Sequence, residues 1–187
     1  FFCNNRRGTG SQERIKNKVF PVIGQGSPHA KIMFIGEAPG RNEAKTGMPF
    51  CGVSGKILDE LLNSVGINRK DVYITNIIKD RPPLNRDPLP KEIKVYGPYL
   101  DRQIDIIRPK IIATLGRFSM DYIMKKIGLV QYTGLTSIGQ MHGKVFDAGV
   151  GYGKIKIIPL YHPAVAIYNR TTKDTLVKDF QTLKDFK

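Results

Sequence analysis

The chain's 187 residues make room for one domain with a sizeable core and leave little for a second. At 41% hydrophobic residues it is not a disordered chain, and with no apolar run of about 18 residues it offers no membrane-spanning helix. Thirty Lys plus Arg against 16 Asp plus Glu leave a net charge of +14, which points to an acidic partner, nucleic acid ahead of an anionic membrane.

The elements are read in chain order. Residues 1–30 are polar and weakly patterned, with a short helix expected at SQERIKNK (11–18). KIMFIG (31–36) is a short apolar run stopped by Gly36, the pattern of a buried strand. A Gly- and Pro-rich loop over 37–53 leads into SGKILDELLNSVG (54–66), a helix that Ser54 can N-cap and Gly66 can end. Its apolar face is Ile57, Leu58, Leu61, Leu62 and Val65. VYITNII (72–78) reads as a strand, and KDRPPLNRDPLP (79–90), with four prolines, as a long ordered loop. A helix over 91–108 is expected to break or kink at Gly97-Pro98. IIATLG (111–116) is another buried strand and RFSMDYIMKKIG (117–128) another helix. A hairpin-like region follows, with strands at GKVF (143–146) and KIKIIPLY (154–161). A helix over 172–186 closes the chain with Leu176, Val177, Phe180 and Leu183 inward.

Strands alternating with helices predict an α/β fold, a central and mostly parallel sheet flanked by helices, in a single domain spanning 1–187 with residues 1–30 its least defined part. In such sheets the ligand site lies outside the carboxyl ends of the strands. The loops that leave those ends are IGEAPG, the one after TNIIKDRPP, TLGRF and YHPAVAIYN, and their polar residues are expected to converge. Each has more than one reading. Glu37 in IGEAPG belongs to a phosphate cradle, is a catalytic carboxylate, or lies in a plain turn. Phe50 either stacks on something flat or joins the core. Asn76 offers a donor and an acceptor that suit a base edge, or it caps a turn. His162, aimed by Pro163, is catalytic or structural. Helix starts at Ser54–Lys56 and at Gly116–Arg117 bind phosphate, or are ordinary strand-to-helix turns. No cluster of His, Cys and acids has metal-ligand spacing. Cys3 and Cys51 are the only cysteines, which fits a reducing, intracellular setting. No N-terminal signal pattern is visible, and the chain opens on Phe1 rather than Met, as a processed or partial chain would.

Five segments in order, GEAPG followed by NE (36–43), GMPFCGVSGKILDELL (47–62), DVYITNIIKDRPPLNRDP (71–88), RPKIIATLGRF (108–118) and HPA (162–164), together resemble the family-4, thermostable-type uracil-DNA glycosylases. The resemblance runs from about Gly24 to the C-terminal helix. It implies a three-layer α/β sandwich that excises uracil from DNA by cleaving the N-glycosidic bond and leaves an abasic site. Carried over by motif, Phe50 stacks on the flipped uracil, Asn76 bonds its polar edge, and His162 bonds O2 and stabilises the negative charge on the leaving base. Glu37 and Ala38 line the pocket. Ala38 stands where other branches carry a water-activating Asp, so Glu37 is expected to shape or polarise the pocket, with Asn85 nearer the attacking water. Val165, Ala166 and Ile167 fall where the family inserts an apolar wedge, and Ser54, Gly55, Lys56, Gly116 and Arg117 fall near the DNA backbone. The implied setting is intracellular and DNA-associated, with DNA as partner, no membrane, a monomeric state, and room for a replication or repair protein as a further partner.

The resemblance also implies four cysteines holding a 4Fe–4S cluster, and this chain departs from it. Asp80 and Tyr96 stand at two of those positions, and two cysteines cannot supply four thiolates. No cluster and no other cofactor is therefore expected, with Tyr96 filling volume and Asp80 pairing with a basic residue. Two rivals remain: a glycosylase-like module that binds DNA without cutting, and a nucleotide-binding enzyme of the doubly wound class.

Overall fold

A computed structural model describes residues 19–129 and 137–186. The helix expected at 11–18, and Cys3, lie outside the described residues. The strands are β1 (Gln25–Gly26), β2 (Ile32–Gly36), β3 (Tyr73–Asn76), β4 (Ile111–Leu115), β5 (Phe146–Val150) and β6 (Gly153–Leu160). The helices are α1 (Arg41–Thr46), α2 (Val53–Ser64), α3 (Pro90–Ile107), α4 (Arg117–Lys126), α5 (Ile138–Met141), α6 (Val165–Tyr168) and α7 (Arg170–Phe180), with short 3-10 turns at Arg69–Asp71, Pro83–Asn85 and Gln181–Phe186.

The sheet runs β1-β3-β2-β4-β6-β5. Its four inner strands are parallel, while β1 and β5 pair antiparallel at the edges. The inner strands are nearly continuous apolar runs because helices cover both faces. Alternation then sorts them. Ile32, Phe34, Ile111, Ala113, Ile158 and Leu160 pack with Leu58, Leu61 and Leu62 of α2 and with Leu176 and Phe180 of α7. Met33, Ile35, Ile112, Ile155 and Ile157 pack with Leu100 and Ile104 of α3 and Ile123 of α4. The result is the expected three-layer sandwich. Burying each of these aliphatic side chains contributes roughly 1.5–3 kcal/mol before chain entropy is counted. Among the described residues no helix is long and apolar enough to cross a membrane.

The differences from the sequence-based expectations are local. Helix α2 starts at Val53, with extended Gly52 as its N-cap in place of Ser54. No side chain caps the first helical amides; the carboxylate of Glu43 accepts from the Gly52 amide at 3.1 Å and anchors the residue that enters the helix. Helix α3 runs as one element through Pro98, which lies on its exposed face, where the carbonyl left without an amide partner can turn to water. The first hairpin strand is Phe146–Val150, later than 143–146, because Phe146, Ala148 and Val150 supply the alternating face that packs on the core. The last helix ends at Phe180 and tightens into the 3-10 turn, with Leu176, Phe180 and Leu183 buried.

Candidate active site

Register brings the ends of the parallel strands level: Gly36 lies beside Asn76, and Leu115 beside Leu160. The loops beyond them therefore open at one edge of the sandwich. Glu37, Ala38, Phe50, Ser54, Asn76, Asn85, Arg86, His162 and Ala164 line a cleft of about 370 Å³ there. Of the four loops expected to converge, three supply its walls. The TLGRF loop stands behind His162, with Gly116 close against the His162 Cβ. A second cavity of about 340 Å³ lies between the start of β2 and Phe186, and none of the buried polar side chains lines it.

Phe50 is both wall and core. It is 6% exposed, belongs to the apolar cluster under α2, and its ring lies 5.6 Å from that of His162 at 31°. Its backbone is left-handed, φ 49°, an uncommon state for a bulky residue. The surroundings enforce it. Glu43 Oε1 accepts from the amides of Cys51 and Gly52, each at 3.1 Å, and pins the loop behind the ring. A Cβ at Gly55 would stand 1.8 Å from the Phe50 carbonyl oxygen, so only glycine lets the helix approach. Gly36 plays the same part below: a Cβ there would meet Asn76 Oδ1 at 2.4 Å and Phe50 Cζ at 2.9 Å. The glycine ending β2 is what allows these two side chains to meet.

Asn76 is 2% exposed, and its Oδ1 has no hydrogen-bond partner within the protein. Leaving a buried acceptor unpaired costs about 1–3 kcal/mol. Its backbone is held from behind. Lys79, 1% exposed, donates from Nζ to the Asn76 carbonyl at 2.7 Å, to Thr75 Oγ1 at 2.8 Å and to Gln103 Oε1 at 2.6 Å. Backbone bonds from Ile77 to Gly36 and from Ile78 to Glu37 prolong the β2–β3 ladder past the strand ends and fix Glu37.

His162 Nδ1 accepts from the Ala164 amide at 3.2 Å, so the neutral ring carries its proton on Nε2. Burial pushes the His162 pKa down to about 4, against a weak upward pull from Glu43, and the ring is neutral at pH 7. Glu37 shifts the other way. Burial, then the nearby Asp87 carboxylate, raises its pKa to about 7, with Arg117 opposing. Asn85 is exposed at the rim, and its Oδ1 accepts from Arg81 Nε at 2.7 Å. The cleft thus holds an aromatic plate, an orphaned amide oxygen, a neutral imidazole N–H and a carboxyl group balanced at neutral pH.

A family model, Uracil DNA glycosylase superfamily, matches residues 23–184. The chain belongs to the uracil-DNA glycosylase superfamily. The Type-4 uracil-DNA glycosylase of Saccharolobus solfataricus is 48% identical to it over 165 residues, 88% of this chain and 74% of that protein. That of Archaeoglobus fulgidus is 44% identical over 168 residues, 90% of this chain and 82% of that protein. A DNA polymerase of Bacillus phage SP01 is 33% identical over 87% of this chain but only 16% of its own length.

Among the residues expected near the DNA backbone, Lys56 is exposed and Ser54 lines the cleft. Gly55 is buried under Phe50 and serves loop packing. Arg117 pairs with Asp87 at 2.5 Å and lies over the Phe118 ring. In α6 the expected wedge divides. Val165 and Ala166 turn onto the core, and Ile167 alone of the three is exposed, at 44%. The positions aligned with cluster ligands bond to each other: the Tyr96 hydroxyl donates to the Asp80 carboxylate, joining the loop after β3 to α3. Oxygen side chains engaged in this way do not fit an iron–sulfur cluster, which takes thiolates. Among the described residues no group of three or more His, Cys, Asp or Glu is placed to hold a metal.

Two supporting residues are not evident from the sequence. Glu43 lies within the first motif and carries no expected role, because a carboxylate that caps amides eight and nine residues away follows no local pattern. Lys79 reads as a loop cation, and only the fold shows it buried.

Proposed function

We propose that this chain is a uracil-DNA glycosylase that receives a flipped uracil in the cleft, hydrolyses its N-glycosidic bond and leaves an abasic site. The supporting observation is the unpaired Oδ1 of Asn76 beside Phe50 and His162. Uracil presents an N–H at N3 flanked by carbonyls. Asn76 accepts from N3–H and donates to O4, while cytosine presents the reverse pattern and leaves the amide mismatched. Phe50 covers the ring face. As the C1′–N1 bond breaks, the electron pair moves to the base and spreads onto O2, where the His162 Nε2–H waits. A neutral imidazole with a low pKa donates without giving up its proton, so the base leaves as an anion.

The sugar becomes cationic and water adds to C1′. Asn85, at the rim, holds that water. Its carbonyl already accepts from Arg81, and the Glu37 carboxyl is half ionised at neutral pH, which favours Glu37 as acceptor of the water's proton. Flipping costs a few kcal/mol, and Ile167 fills part of the emptied stack. The chain acts at DNA inside the cell, as a monomer, with no cofactor and no iron–sulfur cluster. The intact set of cleft residues disfavours a module that binds without cutting.

Oligonucleotides carrying uracil, hypoxanthine or thymine test this reading. The uracil strand becomes alkali-labile after incubation, and His162→Ala slows this roughly 10²–10³-fold, the usual cost of an oxyanion donor. An uncut uracil strand at high protein concentration defeats it. A larger loss in Asn85→Ala than in Glu37→Gln shifts the proton acceptor away from Glu37. Iron in the purified protein overturns the cofactor statement.

A further inference from the structure

Leu84 combines two unusual properties. It is 95% exposed, more than any other large apolar side chain described, and its backbone is left-handed at φ 55°. A leucine Cβ crowds the following carbonyl in that region, so the conformation persists only where the surroundings impose it. They do. Pro82 and Pro83 restrict the chain before it. The Asn85 amide returns to the Pro82 carbonyl and the Arg86 amide to the Pro83 carbonyl, each at 3.1 Å. Arg81 Nε holds Asn85 Oδ1 at 2.7 Å, and the Arg86 guanidinium grips both oxygens of Glu92 at 2.8 and 2.7 Å. The loop is clamped on both sides of the leucine and presents it outward.

Its place decides what it meets. Pro82, Asn85 and Arg86 line the cleft, so Leu84 stands at the rim a duplex must cover to deliver a base. Arg81 and Arg86 flank it. A ligand that was only anionic gains nothing from the leucine, and an apolar protein surface has to desolvate the arginines. A nucleic-acid duplex meets both demands, with phosphates outside and stacked bases within.

We propose that Leu84 is a second apolar wedge, entering the base stack beside the flipped nucleotide from the loop between β3 and α3, separate from Ile167 of α6. This rests on the glycosylase reading. The leucine fills space vacated by the base, offsets lost stacking and slows the base's return. Its contribution therefore exists only where there is a stack to fill.

Leu84→Gly and Leu84→Asn, both at ease with positive φ, are assayed for uracil excision from one strand, free and paired. The thermal midpoint is expected to hold or rise, since backbone strain is relieved. Duplex kcat/KM falls roughly tenfold or more, a part of the unstacking cost, while single-strand kcat/KM stays within about twofold. A bulky pyrene nucleotide opposite the uracil, which fills the vacated space itself, restores most of the duplex rate. Equal losses on both substrates, an unchanged duplex rate, or no recovery with pyrene overturns the wedge. An unmodified chain inactive on both the free and the paired strand instead refutes the glycosylase reading and takes the wedge with it.

Discussion

The two sides of the end of β3 treat buried polar groups in opposite ways. Behind the strand, Lys79 has an acceptor for each N–H of its ammonium form. In front, three residues earlier, Asn76 Oδ1 has none. Both are almost fully withdrawn from water. A satisfied network specifies structure, and an unsatisfied group retains binding energy for a partner. The difference separates the scaffold of this cleft from its working surface.

The largest effect follows from the open side. Asn76→Ala is expected to lower kcat/KM on uracil-containing DNA by roughly 10²–10³-fold, by the reasoning that applies to a lost buried polar contact. The thermal midpoint should hold or rise, because the variant removes an unpaired acceptor. A midpoint that drops sharply while activity survives makes Asn76 a structural residue and dissolves the contrast.

The two titrating groups of the cleft sharpen it. Glu37, with a pKa near 7, is ionised as pH rises through neutrality, so activity should climb about tenfold per unit below pH 7 and level above it. Glu37→Gln should remove that limb. Stability carries opposite signs. Glu37 binds its proton more tightly when folded, so its contribution falls as pH rises from 4.5 to about 7. His162 binds its proton less tightly when folded, so its contribution is lost as pH falls from 6.5 towards about 4. Urea melts of the unmodified chain, Glu37→Gln and His162→Gln over pH 4–8 read both slopes.

On the closed side the expected loss is of stability. Lys79→Met strands the acceptors on Gln103 and Asn76 and should cost about 2 kcal/mol, with a smaller loss of activity than Asn76→Ala. Burial lowers the Lys79 pKa from 10.5 to about 7, so the unfolded chain binds more protons between those values and stability rises with pH across that window. Lys79→Met should flatten that rise between pH 7 and 9.5. A rise that persists assigns it elsewhere.

Much of this architecture is legible in the amino-acid sequence. Short apolar runs bounded by turn residues locate the inner strands, because burial on both sides leaves them continuously apolar, and helical spacing locates the apolar face of α2. The carboxyl-end rule brings Glu37, Asn76 and His162 together. What stays hidden depends on pairs distant in sequence. The entry into α2 is anchored by Glu43. Tolerance of Pro98 depends on which face of α3 meets water. Ala166 turns inward while Ile167 stays out, a distinction of one residue that only the docking of α6 decides. Gly36 reads as a strand stop and Gly55 as part of a phosphate-binding helix start or a plain turn, whereas each makes room for a neighbour's atoms.

The smallest expected effect is that of removing one hydroxyl at the joint between the loop after β3 and α3. Tyr96 donates to Asp80 and packs on the second core cluster, so this side chain both fills volume and closes a polar contact. Tyr96→Phe keeps the volume and removes the hydroxyl. Losing one bond to a half-buried carboxylate should cost about 1 kcal/mol, a drop of roughly 2–4 °C in Tm for a chain of this size. Excision of uracil should stay near that of the unmodified protein, since neither residue lines the cleft. Tyr96→Ala, which also empties the volume, should cost about 3 kcal/mol or more and loosen the loop that carries Asn85. If Tyr96→Phe instead slows excision with no change in Tm, the hydroxyl belongs with Asn76 among the groups whose bonding serves the substrate, and the boundary between scaffold and working surface moves outward to α3.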